Sequence, residues 1–154
     1  MQMHHFFIPE IGLLSIDTQS LPWSIKEHPM EIPMDESLEL YQWMTHACPS
    51  PEPLLLGTSF QQKVWNALCK IPFGETISYQ DLAIQIGQSK AFRAVAMAAA
   101  HNPFPLVIPC HRLIRSDGSI GGYSAGSGPE LKEKLLLWEQ RLAQELHLNS
   151  RSKQ

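Results

Sequence analysis

The apolar positions divide the chain into a sparse first third and a regularly periodic remainder. Phe6-Phe7-Ile8 and Ile11-Gly12-Leu13-Leu14-Ser15-Ile16 have strand-like composition around Pro9-Glu10 and predict a short hairpin. Leu38 to Met44 predicts a short helix, and Cys48-Pro49-Ser50-Pro51-Glu52-Pro53 reads as a proline-rich linker, with a boundary near 50–57. Beyond it the helical signals strengthen. Thr58 and Gln61 have capping-box spacing, and Phe60, Val64, Trp65 and Leu68 recur at helical intervals until Ile71-Pro72-Phe73-Gly74. Ser78, with Asp81 three residues on, predicts a helix through Ile86 that Gly87 breaks. Ser89 is expected to cap a second helix over 90–101, with Phe92, Val95 and Ala99 as its buried stripe. Pro105-Leu106-Val107-Ile108 reads as a short buried strand, ended by Pro109. Pro129 opens a last helix to about Leu146, whose core face is Leu131, Leu135, Leu136, Trp138 and Leu142. The polar residues from Asn149 to Gln154 predict a frayed tail.

Composition adds limits. With 154 residues, 44% of them apolar, the chain is expected to form one globular domain with a small appendage, and no apolar run reaches membrane-spanning length. There is no secretory signal pattern, and three cysteines (Cys48, Cys69, Cys110) favour a reducing compartment, so the expected location is cytoplasmic. The net charge of -3 argues against a polyanionic partner, but its distribution does not. Residues 1–56 hold one base and eight acids, whereas residues 57–126 hold six bases and three acids. An acidic head on a mildly basic body leaves DNA binding by the body open.

Two short helices around Gly87 make a candidate helix-turn-helix, although ordinary packed helices share this spacing. Ala94, Ala96, Ala98, Ala99 and Ala100 would let the second helix approach a groove closely, with Arg93 as the strong polar reach near its start.

The candidate chemistry centres on Cys110. Its sulfur is expected where the buried strand stops, and His111-Arg112 beside it would favour a thiolate, the nucleophilic form. A small core hydrophobe is the bland alternative. Asn102-Pro103 closes the alanine-rich helix with an amide able to bond two backbone segments. The glycine-rich run from Ser116 to Gly126 suggests a pocket wall close to a ligand.

Ile108-Pro109-Cys110-His111-Arg112 resembles the active-site signature of O6-alkylguanine-DNA alkyltransferases. So do Pro72-Phe73-Gly74-Glu75-Thr76-Ile77-Ser78-Tyr79, Ala91-Phe92-Arg93-Ala94-Val95, Asn102-Pro103 and Gly122-Tyr123-Ser124, in order, over residues 58 to about 142. The resemblance implies an α+β chain: residues 57–148 a mainly helical alkyltransferase domain with a helix-turn-helix and a short active-site strand. Residues 1–56 would be a reduced N-terminal β/α segment with its linker, shorter than is typical of the family, and 149–154 a tail.

The resemblance also implies roles. Cys110 would accept the alkyl group. His111 would take the thiol proton through a water, and Glu139 would orient His111. Asn102 would be the hinge between recognition helix and active-site segment. Tyr79 would crowd the target phosphate and hydrogen-bond the extruded guanine. Arg93 would fill the space vacated in the base stack, while Gln80 and Ser116 contact DNA and Pro105, Tyr123 and Ser124 line the pocket. Such a site acts on a base flipped out of the duplex, and its thioether product has no leaving group, so each molecule would act once. The implied partner is double-stranded DNA bearing O6-alkylguanine, with O4-alkylthymine a second candidate, bound by a monomer without cofactor or membrane. No metal is expected, since His4, His5, His46 and Cys48 lack zinc-ligand spacing. The loop between Tyr123 and the last helix reads as about two residues longer than in human-type members. A non-catalytic lesion-binding relative would lack Cys110; a sequence-specific regulator would need more base-reading groups than Arg93 offers.

Overall fold

Alternation in the first strands builds a three-stranded antiparallel sheet, one strand more than the hairpin expected: β1 (Met3–Ile8), β2 (Gly12–Asp17) and β3 (Ser24–His28), in that order. The computed structural model describes residues 2–46 and 56–147, and both the proline-rich linker and the polar tail lie outside them. Phe6 and Ile8 of β1 with Leu14 and Ile16 of β2 turn one face of this sheet inward. Helix α1 (Ser37–His46) covers that face with Leu40 and Met44.

Three helices form the second core. Helix α2 (Ser59–Leu68) starts with the expected capping box, Thr58 accepting from the Gln61 N–H while the Gln61 side chain accepts from the Thr58 N–H. Helix α3 (Tyr79–Gln85) is capped by Ser78, which accepts from the Asp81 N–H at 2.9 Å. Helix α4 (Phe92–Ala100) is shorter than expected. Its N-cap is Ala91, without a side-chain bond, because Ser89 and Lys90 belong to the turn after α3. Phe92 is not in the buried stripe: it sits in the first turn and is 42% exposed, while Val95, Ala98 and Ala99 pack inward. Trp65 ties α2 to α4 by donating its indole N–H to the Ala98 carbonyl at 2.9 Å.

Helix α5 (Pro129–Glu145) closes the first core. Leu131, Leu135, Trp138 and Leu142 recur at helical spacing and join the core of the sheet and α1, whereas Leu136 is only half-buried. Lys132 and Glu139, two turns apart on another face, are also buried. The first segment is therefore tied to the rest by an apolar core and by Arg141, which forms an ion pair with Glu10 and donates to the Ser37 hydroxyl at 2.8 Å.

The run from Pro105 to Ile108 is not a strand. Leu106 adopts a φ of 76°, and the segment folds into a tight loop with a single bridge between Pro105 and Ile108. Asn102 takes the place of a strand partner: its Oδ1 accepts the Phe104 N–H at 2.9 Å and its Nδ2 donates to the Ile108 carbonyl at 2.7 Å. Cys110 opens a single 3-10 turn, Cys110–Arg112, and the strand comes after it. There β5 (Leu113–Ile114) pairs in parallel with β4 (Ile77–Ser78), which brings Tyr79 and Arg115 to the same end.

One glycine is fixed by space. Gly74 has a φ of 85°, and a Cβ there would lie 2.6 Å from the Ala143 Cβ of α5. Gly74→Ala is expected to lower the thermal midpoint by about 5 °C or more, combining left-handed strain with this clash; a melting curve followed by circular dichroism checks it.

Candidate active site

The site begins with one carboxylate. Glu139, 1% exposed, accepts four hydrogen bonds. Its Oε1 accepts from Arg112 Nε at 2.8 Å and from the Gly74 N–H at 3.1 Å. Its Oε2 accepts from Arg112 Nη2 at 3.0 Å and from His111 Nε2 at 2.5 Å. Arg112 is completed by the Ile71 carbonyl at 2.7 Å and by the ring of Phe73. Burial alone would raise the carboxyl pKa of Glu139; its contacts with His111 and Arg112 outweigh it and bring it down to about 2.

His111 is 0% exposed. Burial pushes its pKa below the ordinary histidine value, against the pull of Glu139, so the ring is neutral. An ionised carboxylate only accepts, so Nε2 carries the proton and the free lone pair lies on Nδ1. That Nδ1 is buried and has no hydrogen-bond partner among the described residues.

Cys110, 6% exposed, accepts a hydrogen bond from Asn102 Nδ2 at 3.2 Å. Burial pushes its thiol above the ordinary range, and the Asn102 bond and the Lys132 charge offset this only in part. The resting group is a thiol. The expectation that His111-Arg112 would hold a thiolate is thus corrected: Arg112 is committed to Glu139 and His111 is uncharged.

Cys110 faces a cavity of about 260 Å³ whose walls include Tyr79, Ala96, Gly122, Tyr123 and Ser124. Gly121 passes so close that a Cβ would lie 3.0 Å from Tyr79 Oη, as a glycine-rich wall requires. Tyr123 Oη is buried without a hydrogen-bond partner among the described residues, and burial raises its pKa well above the ordinary value. Asn102 and Pro105 line a second cavity that also reaches Cys110, of about 540 Å³, with Trp23 and Trp65 in its wall. Gln80, Arg93 and Ser116 lie together in a third, of about 490 Å³, which shares Tyr79 and Gly122 with the first. All eleven residues singled out from the sequence therefore lie in or beside one continuous region.

Lys132 was missed by the sequence reading. It is 0% exposed and donates to the Gly122 carbonyl at 3.1 Å and to Tyr79 Oη at 3.3 Å. Burial lowers its pKa to about 8. The available signal was its spacing: an inward Glu139 two turns away implies an inward Lys132. Glu27 was missed as well; from β3 it accepts the Ser127 N–H at 3.0 Å and so holds the loop after Tyr123.

Residues 59–141 match the family model described as the DNA binding domain of 6-O-methylguanine DNA methyltransferase. The chain belongs to this family. A methylated-DNA–protein-cysteine methyltransferase of Methanosarcina barkeri is 51% identical over 84 residues, 54% of this chain and 52% of that protein. The bifunctional transcriptional activator/DNA repair enzyme Ada of Escherichia coli is 59% identical over 70 residues, 46% of this chain and 20% of Ada. The chain thus spans about half the length, or less, of the curated relatives it matches. Among solved structures, Mycobacterium tuberculosis OGT in complex with DNA is 30% identical, with a TM-score of 0.59 over 92% of this chain and 94% of that one. The α+β architecture, with α3 and α4 as its helix-turn-helix, is the family's. Among the described residues no helix is long and apolar enough to cross a membrane, and no group of three or more His, Cys, Asp or Glu is placed to hold a metal.

Acidification tests the carboxylate at the centre of this site. The folded-state pKa of Glu139, about 2, lies below the ordinary 4.5, so the stability it contributes is complete above pH 4.5 and is lost as the pH falls toward 2. Urea denaturation of wild type and Glu139→Gln should show it. The variant starts about 3–5 kcal/mol less stable at neutral pH, from the stranded Arg112, and loses less on acidification.

Proposed function

We propose that this protein repairs DNA by direct reversal, accepting an alkyl group from O6-alkylguanine onto Cys110. The observation that carries the reading is the pairing of a buried thiol on a base-sized cavity with a neutral, carboxylate-held histidine whose free nitrogen has no other partner. A cavity of about 260 Å³ is smaller than sites for drug-sized ligands, ~300–1,000 Å³, and suits one base. An O6 substituent is out of reach inside a duplex, so the nucleotide must be extruded into that cavity.

The thiol proton passes through a water to His111 Nδ1, while Glu139 stabilises the imidazolium that forms. The thiolate then attacks the alkyl carbon: the S–C bond forms, the C–O6 bond breaks and the electron pair leaves with guanine. Lys132 donates to Tyr79 Oη, which directs the Tyr79 O–H into the cavity as a donor to the departing base. Asn102 holds the sulfur against both the end of α4 and the turn that carries Cys110. The thioether offers water nothing to displace, so one molecule repairs one lesion.

The helix-turn-helix would bring double-stranded DNA to the cavity mouth. Arg93, exposed at the start of α4, fills the space left by the extruded base, and Tyr79, Gln80 and Ser116 contact the strand. Tyr123, Ser124 and Pro105 shape the room for base and alkyl group. We place the protein, as a monomer, in the reducing cytoplasm, where Cys110 stays a thiol.

Incubation with duplex DNA carrying O6-methylguanine should add one methyl group to Cys110, and none to Cys48 or Cys69, by peptide mass spectrometry. Cys110→Ser should keep DNA binding and lose transfer. Lesion binding with an unmodified wild-type Cys110 would overturn the transferase reading in favour of a lesion-binding protein. Arg93→Ala is expected to slow transfer from duplex at least tenfold more than transfer from the free modified base. Equal losses would remove Arg93 from the extrusion step.

A further inference from the structure

The structure assigns to Arg115 a contact with the backbone phosphate of the extruded nucleotide, which makes it a positioning residue for base flipping. The inference rests on the reading above that duplex DNA with a flipped base is the ligand. Its own ground is the third cavity, about 490 Å³, which Arg93 and Arg115 line together with Gln80 and Ser116.

The parallel pairing of Ser78 with Ile114 places Arg115 one residue past β5, at the same end as Tyr79 one residue past β4. The Arg115 backbone is held at both ends: its N–H donates to the Ser119 carbonyl and its carbonyl accepts from the Gly118 N–H, each at 2.9 Å. The side chain is not so held. No carboxylate lies within ion-pair distance of it among the described residues. Asp117, the nearest acid in sequence, turns its Oδ1 onto the N–H and hydroxyl of Ser119 instead, at 2.9 and 2.7 Å. With Arg93 committed to the space of the extruded base, the unpaired guanidinium of Arg115 on a cavity lined by no carboxylate is left for an anion, and the planar fork of arginine matches phosphate.

Position selects which phosphate. The cavity shares Tyr79, Ala96 and Gly122 with the cavity at Cys110, so a strand entering the first with its base must run past the third. The other arginine near Cys110 is unavailable, because Arg112 is buried on Glu139. With few exposed bases on this face, one phosphate contact is a large share of the electrostatic attachment.

Binding is measured by fluorescence anisotropy in a Cys110→Ser background, so that no chemistry intervenes, with duplexes with and without O6-methylguanine. Arg115→Gln should weaken binding of the lesion duplex about tenfold and lower the slope of log affinity against log salt by about one. Arg115→Lys should restore the slope. The defect should be smaller on undamaged duplex, where no nucleotide is extruded. An unchanged slope in Arg115→Gln overturns the phosphate contact, and an equal defect on both duplexes overturns its assignment to the extruded nucleotide. Failure of methyl transfer in the wild type would overturn the function proposed above and leave this measurement intact.

Discussion

Four hydrogen bonds converge on the carboxylate of Glu139, and the interior of the molecule is arranged around supplying them. The group sits where water does not reach, so each oxygen must be satisfied by protein. Arg112 answers with a two-point contact, His111 with Nε2 and the Gly74 backbone with its N–H. These donors come from two distant parts of the chain, and Glu139 itself from a third. Removing the carboxylate would strand a buried guanidinium and free the ring of His111. Stability and the orientation of the His111 ring therefore depend on the same atoms.

That arrangement explains why the resting cysteine is a protonated thiol. The positive charge next to it in sequence is spent on Glu139, and the histidine is held neutral by burial. Nothing at rest favours a thiolate strongly enough to overcome desolvation. A buried thiol is inert toward chance electrophiles, which suits the single use proposed for Cys110.

Local signals were the most legible. The capping box at Thr58, the cap at Ser78 and the proline opening α5 all stand where their spacing places them, because each is settled within one helical turn. Cys110, His111 and Asn102 were legible as a group because they lie within nine residues. The segment from Pro105 to Ile108 misled because apolar composition reports burial and not backbone partner; Asn102 supplies side-chain bonds where a strand would need a neighbouring ladder. Phe92 misled for a related reason: helical periodicity gives a face, but the first turn of α4 lies at the edge of a cavity. Lys132 and Glu27 were hidden because a charged residue reads as solvent-facing until a partner appears, and those partners are up to 100 residues away.

The sequence by itself determined the kind of element at most positions, the order of the motifs and the residue proposed as nucleophile, since these depend on side-chain chemistry and on neighbours a few residues apart. Tertiary structure alone decided the charge states. Whether Cys110 is a thiol, whether His111 is neutral and which way Arg112 turns are set by desolvation and by a carboxylate 27 to 29 residues along the chain. It also decided that α5 has two buried faces, one closing the sheet core and another carrying Lys132 and Glu139 into the site. Helical periodicity shows which residues share a face, but only packing shows what that face meets.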